Sequence, residues 1–266
     1  KTANEPAAAE DAEDTEWGVV TRVKIPPKPV PKKVGPKGTI YDFSLEFLAE
    51  LAEDENNRRE WFQLNENRYQ AAKSNFVDLV DVVLIGLRRL DPTILEAPGK
   101  SLLFRINRDV RFSADKSPYK KNLSAGFTST GRKGETAGYY LEISGSGAFV
   151  GGGLWMPPAD KLASIRTHLA ADASPLDRAF TTKALRREFG TDGEKALIAQ
   201  AGNSSLKTAP KGYAKDHPRI RLLRLKSFAL VKRFKKTEVL AEGFSDKVIQ
   251  TLEGIVPLVN VLNQWI

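Results

Sequence analysis

A chain of 266 residues with 41% apolar and 9% aromatic side chains can fill a real core, as one large domain or two small ones. No stretch approaches the roughly 18 uninterrupted apolar residues of a membrane span, and the lack of cysteine excludes a disulfide framework and thiolate metal sites. The net charge of +8 is concentrated, with eleven Lys/Arg against Asp216 over residues 204–236 and six against two aspartates over 101–121, which points to an anionic partner more than a uniformly basic surface would.

Residues 1–40 are expected to form a flexible arm. Lys1 to Trp17 is Ala-rich and acidic, and Ile25 to Gly38 holds five prolines interleaved with lysines, a composition that favours extended, polyproline-like chain. From Tyr41 the period becomes helical. Phe43, Phe47, Leu48 and Leu51 keep the spacing of three to four, with Asp42 as N-cap. Asn57-Arg58-Arg59-Glu60 fits a capping box opening a second helix that carries Trp61, Phe62 and Tyr69. Phe76, Leu79, Val80, Val83, Leu84, Leu87 and Leu90 form a core-facing stripe that stops at Asp91-Pro92, because the residue before proline avoids the helical region.

Residues 102–112 read as a half-buried strand. Phe104, Ile106, Val110 and Phe112 face inward, Arg105, Asn107, Asp109 and Arg111 face outward, and Ser113 to Pro118 supplies a turn. Short strands are expected at 126–130, 137–144 and 147–155, with a hairpin at Ser144 to Gly147. The glycines at 145, 147 and 151–153 lack dinucleotide-loop spacing and lead into a strand, so they mark a bulge or a close approach. Trp155 beside them offers a stacking surface. Helices follow from about Ala159 and from Leu176 to Phe189, then a loop with Lys207, Lys211, Lys215 and His217, and a strand over 227–234. A closing helix from Phe244 to Leu262 is expected to be interrupted near Pro257. The fold expected is a single α+β domain over 41–266 with a mostly antiparallel sheet of about five strands, the Arg105 strand among the inner ones.

Several stretches in this order carry a resemblance: RINRDVRFSADKSPYK (105–120), Asn56-Asn57-Arg58 with Trp61-Phe62, GYYLEI (138–143), GGGLWMPP (151–158), Ile165-Arg166, and the Lys207, Pro210 to Tyr213 and Asp216 to Arg219 pattern. Together they resemble the conserved uncharacterised family known as domain of unknown function 2461, from residue 41 to the end. The resemblance implies one α+β domain. It implies no activity, cofactor or residue role.

Residue patterns that carry known chemistry are mostly lacking. The two histidines, His168 and His217, are distant and unaccompanied by cysteine, a poor zinc signature, so no metal site is assigned and no cofactor is named. Nucleophile-elbow and P-loop patterns do not occur. Asp109, Asp115 and His217 are the acid–base candidates. Arg105, Arg108, Arg111, Lys116, Tyr119, Lys120, Trp155, Arg166, Lys207 and Lys211 are the candidates for an anionic ligand. Three readings stay open: a site for phosphate, a nucleotide or another phosphorylated ligand built from 105–121 and 206–219; an enzyme acting on such a ligand; and a nucleic-acid-binding or structural interaction domain with its Arg–Asp strand internally paired. Whether the two basic stretches share a cleft separates them. The composition is that expected of an intracellular protein, cytoplasmic or nuclear.

Overall fold

The computed structural model describes residues 29, 35–190, 192–201 and 205–266. Most of the expected arm therefore lies outside the described residues. The described part from Gly35 onward is docked rather than free: Ile40 is buried, and Lys37 pairs with Asp81 at 2.9 Å. Helix α1 (Asp42–Ala52) begins one residue earlier than expected, with Tyr41 rather than Asp42 as its cap. Asn75, fully buried, does the work assigned to Asp42: its carbonyl accepts from the Tyr41 amide and the Ser44 hydroxyl, and its amide donates to the Thr39 carbonyl. The chain's entry into the domain is thus fixed from a later helix, information that no local pattern contains.

Helix α2 (Arg59–Leu64) forms without the expected capping box. Asn57 turns inward instead, toward the Tyr119 backbone. Helix α3 (Glu66–Leu90) buries Phe76, Leu79, Val80, Val83, Leu84 and Leu87 and ends at the proline boundary. Each such side chain contributes on the order of 1.5–3 kcal/mol on leaving water. A short helix α4 (Gly99–Leu102) follows.

The strand expected at 102–112 does not form. Only isolated bridges occur there, Leu103 to Ala125 and Asn107 to Tyr119, and the chain between them doubles back on itself. Of the four residues expected inside, Ile106 is buried while Phe112 is 96% exposed. The reason is local competition: Asp109 and Asp115 bind arginines and amides within the segment, which bends the backbone away from an extended ladder.

The sheet consists of β1 (Asn122–Phe127), β2 (Gly138–Ser144), β3 (Gly147–Leu154) and β4 (Phe228–Lys235), all antiparallel and in the order β1-β2-β3-β4, four strands rather than about five. Between β3 and β4 lie α5 (Ala159–Ala171), α6 (Ser174–Phe180), α7 (Lys183–Phe189), α8 (Gly193–Ala201) and α9 (Ile220–Leu223). The single helix expected over 176–189 is split because Thr182 caps α7, accepting the Leu185 amide. After α10 (Lys236–Val239), α11 (Phe244–Trp265) runs unbroken through Pro257. Its buried stripe, Val248, Leu252, Ile255, Val259 and Leu262, lies against β3, and that packing outweighs the backbone bond proline removes.

Register gives the sheet two unlike faces. The inner face carries the rows Leu123–Ile143–Ala148–Phe234, Ala125–Leu141–Val150–Lys232 and Phe127–Tyr139–Gly152–Leu230 and is covered by α11. The outer face carries Ser124–Glu142–Phe149–Arg233, Gly126–Tyr140–Gly151–Val231 and Gly138–Gly153–Ala229. Both edges are blunted. Phe104 donates its amide to Ser124 along β1, and the Gln200 side chain exchanges two hydrogen bonds with Val231 along β4.

Candidate functional site

The two basic stretches belong to opposite edges of the sheet. Residues 103–104 run along β1, whereas 206–219 join α8, which packs on β4, to α9, which packs on α5. Among the described residues no hydrogen bond or ion pair links them.

Much of the charge in 105–121 is spent inside the segment. Arg108 binds Asp115 at 2.6 Å and the Ser117 carbonyl, and Arg111 forks onto Asp109 at 2.7 and 3.0 Å. Hydrogen bonds from Arg111 hold the Asp109 carboxyl below its ordinary range. Those from Ser117 and then Arg108 do the same for Asp115. Both are ionised partners of arginine, a poor starting point for a general acid. Lys116 donates to the Val110 carbonyl. Tyr119 is buried, its ring stacked on Phe62 at 4.0 Å, so it serves the core. Asn57 explains why: its amide exchanges two hydrogen bonds with the Tyr119 backbone, at 3.0 and 3.1 Å, and donates also to the Leu51 carbonyl. A side chain thus stands in for a neighbouring strand and fastens the base of the loop, leaving Phe112 exposed toward its tip and Arg105 exposed beside its base.

The second stretch is tied down too. Arg166 donates to the Leu223 and Leu225 carbonyls and holds the end of α9; burial lowers its proton affinity from the ordinary arginine value. Arg219 pairs with Asp177 and with Glu194. His217 accepts the Arg219 amide through Nδ1. His168 stacks on Trp265 at 5.6 Å. Lys207 and Lys211 are exposed on the loop.

The concave feature with converging aromatic and cationic groups lies on the outer face of the sheet, a groove of about 560 Å³ that sequence reading located only through Trp155 and the glycines beside it. Its floor is nearly bare backbone, from Gly126, Gly138, Gly151 and Gly153. At Gly153, φ is +124° and a Cβ would lie 2.0 Å from the Phe228 carbonyl oxygen, so only glycine fits. The β3 part of the floor therefore follows from how closely β3 approaches β4.

Aromatic rings wall the groove. Tyr140 lies between Phe104 and Phe149, with ring centroids 6.1 and 5.9 Å apart, and Trp155, 69% exposed, stands at the end of β3. Trp155 is held outward by a strained link. Met156 has φ +43°, the sole non-glycine residue with positive φ among the described residues, and its amide donates to the buried Ser227 hydroxyl at 2.9 Å. Arg233 caps Phe149 at 5.0 Å and Lys120 sits 5.4 Å from the Phe104 ring centre, both cation–π contacts. Arg132 lines the groove while donating to the Leu103 carbonyl at 2.7 Å.

The polar chemistry of the groove centres on Glu142, which accepts the Tyr140 hydroxyl at 2.7 Å. Burial, opposed by a Ser124 hydrogen bond and reinforced by Glu142, holds the Tyr140 phenol above its ordinary range, so it remains a protonated donor. Burial and then Arg105 pull Lys120 below the usual lysine value, against the attraction of Glu142. Of the residues proposed from sequence, Trp155 is in the groove, and Lys120 reaches it through Phe104. Glu142, Tyr140, Phe149, Arg132 and Arg233 were missed. Their signal was the period-2 alternation of β2 and β3, whose outward residues matter only once the sheet's outer face is known to be open.

The fold and this face define a class, an α+β domain with an open-faced antiparallel meander. The chain belongs to the family of conserved hypothetical proteins termed domain of unknown function 2461, whose model it matches over residues 44–260. None of the curated proteins and none of the solved structures compared with it matches. No helix among the described residues is long and apolar enough to cross a membrane.

Proposed function

We propose that this protein binds a nucleotide-like ligand, a planar ring carrying an anionic group, in the glycine-floored groove of the outer sheet face. The observation that carries the reading is the pairing of exposed aromatic surface, Trp155 above all, with the guanidinium groups of Arg132 and Arg233 over a floor without side chains. A flat floor admits a ring edge-on or face-on, aromatic walls supply stacking, and planar guanidinium groups fit phosphate oxygens. The groove volume is in the range of small-molecule sites. Glu142, which accepts the Tyr140 hydroxyl through one oxygen, offers the other as an acceptor for a ring's polar edge. Relative to a phosphate site built from Arg105, Arg111, Lys116 and Lys211, this location is favoured because its cations face aromatic surface, whereas Arg108 and Arg111 are neutralised by neighbouring aspartates.

Titration calorimetry against AMP, UMP, GMP and CMP, with inorganic phosphate and ribose 5-phosphate as ring-free controls, tests this. Saturable binding of the nucleotides but not of the ring-free phosphates is expected, and it should weaken about tenfold in Trp155→Ala and in Arg233→Ala. Equal binding of phosphate alone, or no binding anywhere, overturns it.

A further inference from the structure

The groove does not end at Phe149. Glu142, Phe149 and Arg233 also line a second depression of about 380 Å³, which continues to Ser144, Ser146 and Lys235. Register makes the two one surface: the row Asn122–Ser144–Gly147–Lys235 lies two residues further along each strand, on the same face as Ser124–Glu142–Phe149–Arg233. From Lys235, opposite Gly147, to Trp155 the face follows the eight residues of β3, about 26 Å at ~3.3 Å per residue. A mononucleotide occupies only part of that length.

Cations and rings are distributed along it in series. Arg132 and Trp155 mark one end, Tyr140, Phe149 and Arg233 the middle, and Lys235 the other end. The two carboxylates on the path are engaged within the protein: Glu142 accepts the Tyr140 hydroxyl, and Glu238 accepts the Lys235 amide at 2.9 Å. Spaced aromatic faces beside a track of positive charge are what single-stranded nucleic acid requires. Unpaired bases stack on rings of any sequence, and the phosphates follow the cations.

We infer that the outer sheet face binds single-stranded nucleic acid of about four nucleotides, with the stacking site at Trp155 and the phosphate track continuing over Arg233 to Lys235. This rests on the nucleotide reading above and extends it from a monomer to a polymer. The trench has one open side and a single row of rings, so a paired duplex, whose bases are already stacked and inward, gains little from it.

The test is fluorescence polarisation of labelled dT4, rU4, dT8 and rU8 competed with UMP and with a duplex, on the full chain at two salt concentrations. Tetramers are expected to bind at least tenfold tighter than UMP, with a log–log salt slope of about −2, from ~0.7 per phosphate for three cations. Lys235→Ala is expected to weaken the tetramer five- to tenfold and to narrow the tetramer-to-UMP ratio, whereas Trp155→Ala weakens both ligands. Preference for dT4 or rU4 assigns the sugar. Tetramers that bind no tighter than UMP, an unchanged ratio in Lys235→Ala, or a duplex bound as tightly as the single strand overturns the inference and leaves the nucleotide reading standing. Absence of binding by both UMP and the oligomers overturns both.

Discussion

The loop at 105–121 and the outer face of the sheet make an instructive pair. The loop is the more conspicuous in sequence, with six Lys/Arg in seventeen residues, yet two of its arginines are matched by the aspartates that shape its turns, and its one buried aromatic, Tyr119, is consumed by packing. The sheet face has fewer charges, but Arg233 lies over a ring and Trp155 stands clear of the core. Charge that is dense along the chain finds partners along the chain, because residues two to seven apart in a turn meet readily. Charge projected from different strands meets only across a surface. A binding surface is marked by groups that folding leaves unmatched, and local density is a poor guide to them.

The largest effect is expected at the floor of the sheet. Gly153→Ala forces a Cβ against the Phe228 carbonyl at a backbone angle unfavourable to L-residues, and the expected loss is about 3–4 kcal/mol, from strain plus overpacking. Urea denaturation measures it, and a loss under 1 kcal/mol would show that the β3–β4 approach does not dictate the glycine floor.

The loop has its own weak point at Asn57. Asn57→Ala leaves the Tyr119 amide and two buried carbonyls without their partner, at an expected cost of about 2–3 kcal/mol. Amide hydrogen exchange should speed up across 105–121 while the sheet amides stay protected. Uniform acceleration everywhere would mean that Asn57 supports the whole domain and not the loop's base.

Binding sharpens the contrast between the two regions. Arg233→Ala should lower nucleotide affinity about tenfold, or 1.4 kcal/mol, with folding stability unchanged within ~0.5 kcal/mol. Arg111→Ala should leave that affinity unaltered, since its guanidinium already belongs to Asp109. Calorimetry that found the reverse ranking would move the site to the loop.

The smallest effect is expected from Asp115→Asn. Ser117 and Arg108 hold the folded carboxyl below its unfolded value, so its contribution is present above the unfolded pKa near 3.9 and is lost as pH falls below it. The pair is exposed and screened. Wild type and variant should differ slightly at pH 7 and converge toward pH 2. A gap that widened on acidification would contradict the sign.

Sequence periodicity by itself determined the α3 stripe, its stop at Asp91-Pro92, strands β2 and β3 with the turn between them, and the α+β class, because each depends on residues within a few positions of one another. It also placed Trp155 beside a glycine run. Tertiary structure alone decided that Asn57 serves distant backbone rather than its own helix start, and that Asn75, inside α3, fixes the entry to α1, since their partners lie 62 and 34 residues away. It decided too that the Arg105 segment folds onto itself, and that α11 covers one face of the sheet and leaves the other to Tyr140, Glu142, Phe149 and Arg233. Alternation along a strand says that two faces differ. Which one meets solvent depends on where a helix a hundred residues later comes to rest.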